Sequence, residues 1–207
     1  AGVSHDLRTP LARLRLGVEL AQADEPTREG MIADIEEMDR VIGQFLDFAR
    51  GEDAVALESR DVNELIEPIV ERTRRAGHDV RFVRGTLPAL RVRPTAIARL
   101  VGNLVDNALA YGAPPVEVTS GVADGHVEID VADRGPGIPR EDVERLKQPF
   151  TRADAARARA DGAAGAGLGL AIVDRIARLH GGSFDLLARE GGGTLARVRL
   201  PLARPAR

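Results

Sequence analysis

The chain has 207 residues, of which 43% are hydrophobic and 29% are charged, and its formal net charge is -3. This balance is typical of globular domains and excludes a global basic field that would attract nucleic acid or acidic lipid. The absence of cysteine excludes disulfides, and no apolar run reaches the ~18 residues of a membrane span. We expect a soluble, cytoplasmic chain, and because it begins inside a predicted helix we expect it to be part of a longer protein.

Two helices are predicted at the N-terminus, separated by an acidic turn that contains Pro26. We expect Thr27 to be the N-cap of the second helix. A hairpin of two helices has a thin core, so pairing with a second copy as a four-helix bundle is expected, and packing on the C-terminal region is the alternative. Apolar residues recur at spacings of three and four, as in helices that pack against partners: Leu7, Leu11, Leu14 and Val18, then Met31, Ile35, Met38, Ile42, Phe45 and Ala49.

From about residue 53 the pattern changes to short strands and helices. Interspersed helices and a mostly antiparallel sheet predict an α+β sandwich, with domains over 1–52 and 53–207. A loop rich in alanine, arginine and glycine is expected over about 151–166. Helices are predicted over 62–76, 94–111 and 168–180, and strands over 79–85, 89–93, 115–121 and 126–135 and in a hairpin around 191–193.

The helix predicted over 94–111 carries Asn103 and Asn107, which lie four positions apart and therefore on one face. Amide oxygens are hard ligands that suit Mg²⁺, although such a pair is also a common hydrogen-bonding device. Asp133 ends a predicted strand, and Gly135 and Gly137 let the chain turn tightly after it. A carboxylate at the edge of a pocket can accept a hydrogen bond from an adenine amino group. A plain turn is the alternative.

Glycines also precede the helix predicted over 168–180, at Gly165, Gly167 and Gly169. Unpaired N–H groups at a helix start bind phosphates, helped by the helix dipole. The dinucleotide-binding fingerprint is excluded because no strand precedes these glycines within a βαβ unit. Phe150 opens the loop before them and is a candidate apolar hinge for a lid.

The order of these motifs resembles the N, G1, F and G2 boxes of the ATPase family that includes histidine kinases, Hsp90, gyrase and MutL. The opening stretch "SHDLRTPL" resembles the H box of sensor histidine kinases, and nearly the whole chain is similar to the cytoplasmic core of the EnvZ type. The resemblance implies a dimerisation and histidine-phosphotransfer hairpin over 1–52 and a catalytic ATP-binding domain over 53–207. It implies ATP and Mg²⁺ as cofactors, a homodimer, and a response-regulator receiver domain as partner. Direct nucleic-acid binding is not expected. The resemblance also implies a cytoplasmic domain of an inner-membrane sensor, with membrane contact only through upstream segments.

By this resemblance His5 is the phosphoacceptor, and a neutral imidazole nitrogen is a competent nucleophile near physiological pH. Asp6 would hydrogen-bond the other ring nitrogen, and Thr9 would position water to hydrolyse the phosphoaspartate of the partner. Pro10 bends the helix just beyond these residues. The partner is expected to dock near His5, where Arg13 and Arg15 are candidate contacts.

In the ATP-binding domain the resemblance implies that Asn103 and Asn107 hold Mg²⁺ and that Asp133 binds the adenine amino group. Tyr111 would lie against the nucleotide, with helix-end packing as the alternative, and Arg152 and Arg157 would contact phosphates. Related kinases usually carry a basic residue before this tyrosine, whereas this chain has Ala110, which is expected to lower ATP affinity. The remaining positions implied for the pocket and lid are Gly135, Gly137, Phe150, Gly165, Gly167, Leu168 and Gly169.

Two alternative functions stay open. A conformational ATPase of the Hsp90 or MutL type would hydrolyse ATP to water and would not need His5. A phosphatase-only or ATP-binding regulatory module would retain the pocket without kinase activity, and Ala110 gives it slight support. Autophosphorylation separates the three hypotheses because only the kinase predicts label on His5.

Overall fold

A computed structural model of the chain describes residue 11 and residues 13–19, 24–49, 56–151 and 167–202. Within those ranges it contains a helical hairpin and a mixed helix-and-sheet domain. Most of the alanine-rich loop predicted over 151–166 lies outside the described residues, as does the opening "SHDLRTPL" except for its last residue, Leu11. No helix in the described ranges combines the length and the apolar character that crossing a membrane requires.

The hairpin consists of α1, described over 13–19, and α2 (Glu25–Ala49). Asp24 precedes α2, and its carbonyl oxygen accepts a hydrogen bond from the Arg28 N–H at 3.0 Å. The predicted N-cap at Thr27 is wrong, because Thr27 lies inside the first turn and hydrogen-bonds the Asp24 carboxylate, which lowers the pKa of Asp24. The helix starts earlier because Pro26 needs no N–H partner in the first turn and has a helical φ.

The apolar seam of the hairpin contains both buried and exposed residues. Leu11 and Ile35 are buried, and the two helices are joined by an ion pair between Arg15 Nη1 and Glu36 Oε1 at 2.9 Å. Leu14, Met31 and Met38 are exposed by 55%, 45% and 51%. Three of the seven seam residues whose burial is described are therefore exposed in a single copy.

The second domain has helices packed on one face of a five-stranded sheet with strand order β2-β4-β5-β7-β6. Strands β2 and β4 are parallel and the other pairs are antiparallel, as the predicted α+β fold requires. Strands β1 and β3 form a separate antiparallel pair. The elements are β1 (Glu58–Arg60), α3 (Asn63–Arg75), β2 (Val80–Val83), β3 (Leu90–Val92), α4 (Pro94–Tyr111), β4 (Val116–Ala123), β5 (His126–Ala132), α5 (Val143–Leu146), α6 (Gly169–Leu179), β6 (Ser183–Ala188) and β7 (Thr194–Pro201).

The core of this domain lies between the sheet and helices α3, α4 and α6. Strands β4, β5 and β7 alternate buried and partly exposed residues, so each contributes one apolar face to the core. Ile97 and Leu104 of α4 and Ile176 of α6 are almost completely buried against Ile129 and Val198 of the sheet. This packing fixes the position and the rotation of α4 and α6, which carry several of the candidate site residues.

The opposite face of the sheet carries charged residues that pair across strands. In register, Asp130 faces Arg197 and Glu128 faces Arg199. The Arg197 guanidinium donates to Asp130 through two nitrogens, at 2.9 and 2.6 Å, and the hydrogen bond to Asp130 raises the pKa of Arg197. The Arg199 Nε donates to Glu128 at 2.8 Å. These cross-strand pairs reinforce the register of β5 against β7.

A buried polar ring joins the start of α3, the loop after β2 and the middle of β4. The Ser120 hydroxyl donates to Asn63 Oδ1 at 2.6 Å and accepts from the Gly85 N–H at 3.0 Å. The Asn63 Nδ2 completes the ring by donating to the Gly85 carbonyl oxygen at 3.1 Å. Because Asn63 is only 1% exposed, this ring satisfies polar groups that water cannot reach.

The turn between β6 and β7 contains three glycines with positive φ, as the hairpin prediction expected: Gly191, Gly192 and Gly193. They differ in their surroundings. A Cβ added to Gly192 would meet no atom within 4 Å, whereas one added to Gly193 would lie 2.1 Å from the Asp133 carbonyl oxygen. The last residue of the turn therefore packs directly on the segment that follows β5.

Replacing Ser120 by alanine should destabilise the second domain by about 1–3 kcal/mol, because it leaves buried polar groups of Asn63 and Gly85 without their partner. Urea unfolding of the chain, followed by circular dichroism, measures this change. Ser183→Ala on the exposed start of β6 is the matched control and should change stability by less than about 0.5 kcal/mol. Equal losses in both variants would contradict a structural role for the ring.

Gly192→Ala and Gly193→Ala should separate backbone strain from steric collision. Both place a side chain at positive φ, which costs about 1–2 kcal/mol. Only Gly193→Ala also forces Asp133 to move, so it should lose roughly 1–3 kcal/mol more. Urea unfolding of both variants tests this, and equal stability of the pair would disprove the collision.

Candidate functional site

The first part of the candidate site is the asparagine pair on α4. Pro94 begins this helix as predicted, and Asn103 and Asn107 lie one turn apart, both partly buried. The Asn103 Nδ2 donates to the Arg99 carbonyl oxygen of its own helix at 2.8 Å. Its Oδ1 is directed toward the start of α6, since a Cβ on Gly169 would lie 3.3 Å from that oxygen. The two sequence motifs that contain Asn103 and Gly169 therefore meet.

Asn107 lies one turn further along α4 and differs from Asn103 in its bonding. Its side-chain amide forms no hydrogen bond with any residue that the structure describes. Asn103 is held through its nitrogen by its own helix, whereas Asn107 keeps both its oxygen and its nitrogen available to a ligand. Of the pair, Asn107 is thus the better candidate for a direct contact.

The second part is Asp133, which is 6% exposed and follows β5 directly. Its Oδ1 accepts hydrogen bonds from the N–H groups of Gly135 at 2.7 Å and Thr194 at 3.3 Å. Its own N–H donates to the Thr194 carbonyl oxygen at 3.0 Å. No described residue donates to Oδ2. The carboxylate is therefore held through one oxygen, and the other remains available to a hydrogen-bond donor.

Glycines from three segments surround Asp133. A Cβ on Gly112, just after α4, would lie 2.5 Å from the Asp133 Cβ and Cγ, and one on Gly135 would lie 2.7 Å from the Gly112 Cα. Gly193 approaches from the β6–β7 turn, and a Cβ on Gly137 would lie 3.3 Å from the Gly193 carbonyl oxygen. The predicted glycines Gly135 and Gly137 are thus brought to Asp133.

Sequence reasoning missed Gly112, Gly193 and Thr194 as neighbours of Asp133. The glycine run before Thr194 indicates a turn, and the hairpin that it forms is local. Its packing against the end of β5 is a contact between residues some sixty positions apart, for which the glycine pattern carries no direct signal. Gly112 immediately follows a predicted helix, where glycine is also a common helix-ending residue.

The third part is the segment around Phe150 and the start of α6. The Phe150 N–H donates to the Gly167 carbonyl oxygen at 3.0 Å, and Gly167 has a φ of +70°. A Cβ there would lie 2.7 Å from the Thr151 carbonyl oxygen. The two ends of the segment between Phe150 and Gly167 therefore meet at a backbone contact. The Phe150 side chain is 61% exposed.

The residues that begin α6 have different surroundings. Leu168 is fully buried in the hydrophobic core, and its carbonyl oxygen accepts the Ile172 N–H at 2.9 Å. Gly169 is the first residue of the helix. The N–H groups of this first turn lack partners within the helix and lie at the positive end of its dipole, an arrangement that favours a bound anion.

Helix α4 connects these parts. Asn103 of this helix and Gly112, the residue just after it, are nine positions apart, which corresponds to about 13 Å along a helix. The Asn103 side faces the start of α6, the Gly112 side faces Asp133, and Tyr111 is the half-buried last residue of the helix. An elongated ligand with an anionic end and a hydrogen-bond donor at the other end fits this arrangement.

Six predicted site residues lie outside the described residues: His5, Asp6, Thr9, Arg152, Arg157 and Gly165. Within the described ranges, no group of three or more histidine, cysteine, aspartate or glutamate side chains is placed to hold a metal ion.

Comparison with known proteins gives two family matches. Residues 92–204 match the family described as histidine kinase-, DNA gyrase B- and HSP90-like ATPase, and residues 1–54 match the His Kinase A (phospho-acceptor) domain. The first match contains Asn103, Asn107, Asp133 and the glycines of α6, and the second contains His5. Together the two matches include the predicted N-terminal hairpin and most of the C-terminal domain.

The similar proteins are histidine kinases. The sensor histidine kinase GtrS of Pseudomonas aeruginosa is 36% identical over 97% of this chain and 41% of its own length. The signal transduction histidine-protein kinase/phosphatase MprB of Mycolicibacterium smegmatis is 37% identical over 91% of this chain and 41% of its own length. The histidine kinase domain of the E. coli osmosensor EnvZ superposes with a TM-score of 0.56 at 32% identity, covering 76% of this chain and 96% of that domain.

This chain spans about half the length of the curated relatives it matches. The matches extend over the hairpin and the sheet domain alike. The chain thus belongs to the histidine kinase family, in which a phospho-acceptor domain is joined to an ATPase domain of the type shared with DNA gyrase B and HSP90.

Proposed function

We propose that this chain is the core of a sensor histidine kinase that transfers the γ-phosphoryl group of ATP to His5 and then to an aspartate of a response-regulator receiver domain. The dimerisation and phosphotransfer hairpin would occupy residues 1–52 and the catalytic ATP-binding domain residues 53–207. The observation that carries the proposal is the position of α4, which joins the available Asp133 oxygen at one end to the start of α6 at the other.

ATP fits this arrangement because its two ends have complementary chemistry. Its adenine amino group is a donor suited to Asp133 Oδ2, and Gly112, Gly135 and Gly193 leave room for backbone to close around that carboxylate. Its phosphates suit the N–H groups at the start of α6, near Gly167 and Gly169. Tyr111 ends α4 beside this pocket, where its ring would lie against the nucleotide. Arg152 and Arg157 would add phosphate contacts.

Magnesium fits the same site because it needs only one or two protein oxygens when phosphates and water complete its coordination. Asn107 would supply an oxygen directly, since its amide has no hydrogen bond to described residues. Asn103 would supply the second, with its Nδ2 already held by Arg99 and its oxygen directed toward α6. A bound Mg²⁺ neutralises phosphate oxygens and helps to align them for in-line transfer.

The chemical step is carried by the hairpin. A neutral imidazole nitrogen of His5 attacks the γ-phosphorus, a nitrogen–phosphorus bond forms, and the bond to the leaving oxygen of ADP breaks. Asp6 accepts a hydrogen bond from the other ring nitrogen and stabilises the charge that develops on the imidazole. The phosphoryl group then passes from His5 to a carboxylate oxygen of the receiver domain, which regenerates the neutral histidine.

The receiver domain would dock near His5. Leu16 is 56% exposed on α1 and offers an apolar contact to such a partner. Arg13 is exposed on α1, whereas Arg15 is engaged by Glu19 and Glu36 at 3.1 and 2.9 Å. We therefore favour Leu16 and Arg13 over Arg15 as contacts with the partner.

The hairpin would form a homodimer through its exposed apolar seam. Leu14, Met31 and Met38 are about half exposed in a single copy, and pairing with a second hairpin would bury them in a four-helix bundle. In the proposed protein this core is a cytoplasmic domain of an inner-membrane sensor.

Incubation with Mg²⁺ and γ-labelled ATP should label the native chain with an acid-labile phosphoryl group, and His5→Gln should abolish the label. His78→Gln, at an exposed position outside the proposed site, is the matched control and should be labelled normally. Chelation of Mg²⁺ should also abolish the label. Label that survives in His5→Gln would exclude His5 as the acceptor. ATP hydrolysis without label would favour the conformational ATPase, and nucleotide binding without turnover would favour the regulatory or phosphatase-only module.

A second activity, removal of phosphate from the response regulator, is favoured by the similarity to MprB, which is named a kinase/phosphatase. Thr9 lies one turn after His5, where its hydroxyl would position the attacking water. We expect Thr9→Ala to slow dephosphorylation of a labelled receiver domain at least tenfold while His5 labelling stays within about twofold. Equal loss of both activities would contradict a specific role for Thr9.

A further inference from the structure

The residue after α4 is in close contact with the Asp133 carboxylate. Gly112 has φ -90° and ψ -157°, which residues with a side chain also adopt, so its backbone conformation does not require glycine. The lack of space does require glycine, because an added Cβ would lie 2.5 Å from both the Cβ and the Cγ of Asp133, and 2.5 Å from the Ala108 carbonyl oxygen. Ordinary contacts between carbon atoms lie near 3.5–4.0 Å, so about 1 Å of displacement would be needed.

The backbone on both sides of this contact is fixed. The Gly112 N–H donates to Ala108 and the Arg134 N–H donates to the Ala113 carbonyl oxygen, at 3.0 and 2.9 Å. The Asp133 N–H pairs with Thr194 at 3.0 Å, which continues the β5–β7 ladder. Helix α4 is further held by its buried apolar face. A methyl group at position 112 would therefore meet resistance from the main chain on each side.

The Asp133 side chain is held less firmly than this backbone. Only its Oδ1 is bound, by a short hydrogen bond from Gly135 and a longer one of 3.3 Å from Thr194. The contact with the Asp133 Cβ can be relieved only by a shift of the backbone, which would strain the 3.3 Å bond from Thr194, whereas rotation of the carboxylate relieves the contact with Cγ. The same rotation would displace Oδ2, the oxygen that no described residue engages.

We propose that Gly112 is a positioning residue that sets selectivity for a 6-aminopurine, because the absence of a side chain there fixes where Asp133 presents Oδ2. Gly112 would not touch the base and would act only through Asp133. The inference rests on the proposed function, in which Asp133 binds the adenine amino group. It adds that the end of α4 determines how strongly this contact discriminates between bases.

Adenine and hypoxanthine nucleotides provide the test, since hypoxanthine replaces the 6-amino donor by a carbonyl oxygen, which the Asp133 carboxylate repels, and has its donor at N1 instead. A hydrogen bond to a charged partner is worth about 10- to 100-fold in affinity, so the native chain should bind ADP that much more tightly than IDP. Gly112→Ala should weaken ADP binding about tenfold or more and change IDP binding by less than about threefold. The ratio of the two dissociation constants should therefore fall at least several-fold.

The experiment is calorimetric titration of the whole 207-residue chain with ADP and with IDP, with unfolding followed in parallel. Gly102→Ala is the matched control, because Gly102 lies on the same helix and a Cβ there would meet no atom within 4 Å outside the helix backbone. That variant should keep the native ADP-to-IDP ratio.

Each outcome supports or overturns the inference. A reduced ratio in Gly112→Ala with an unchanged ratio in Gly102→Ala supports it. An unchanged ratio in Gly112→Ala, or equal weakening of ADP and IDP, overturns it and leaves the proposed ATP site intact. Loss of the folded domain in Gly112→Ala overturns it too, because Gly112 would then serve packing in general. A native chain that does not distinguish ADP from IDP contradicts the proposed role of Asp133 itself.

Discussion

The packing of α4 on the sheet and against α6 is the constraint on which the site depends. Its buried residues, among them Ile97, Leu100 and Leu104, fix the rotation of the helix about its axis. That rotation directs Asn103 toward the start of α6 and brings the end of the helix onto Asp133. Polar groups of the site are thus positioned by apolar contacts on the other side of the same helix, which are the dominant favourable contribution to folding. A change in the core would alter both ends of the pocket together.

The sequence predicted those elements whose signals are local. Pro94 at the start of α4, the alternation of β4 and β5, and the glycines of the β6–β7 hairpin each act within a few residues, and each was predicted correctly. Thr27 was assigned wrongly because Asp24, Pro26 and Thr27 are all acceptable near a helix start, and the spacing alone does not select among them.

In the candidate site, too, the sequence predicts features within one motif better than contacts between distant segments. Asp133 and the glycines that follow it were recognised because they form one motif. The approach of Gly112 and Gly193 to Asp133 depends on how the sheet and α4 pack together, and an amino-acid pattern does not encode a distance between segments far apart in the chain. The ring of Asn63, Gly85 and Ser120 was missed for the same reason, since single polar residues in three different elements look like ordinary loop and strand residues.

The contact between Phe150 and Gly167 affects how far the length of the segment between them can vary among related proteins. Because a backbone hydrogen bond joins Phe150 and Gly167, the distance between the two ends of the segment 152–166 is short and does not depend on how many residues the segment has. The free-energy cost of closing such a loop rises only with the logarithm of its length, by about 0.6 kcal/mol for each doubling. Insertions and deletions there can accumulate while α4, α6 and the sheet keep their positions. The segment can therefore diverge in length and composition between related kinases without any compensating change in the core.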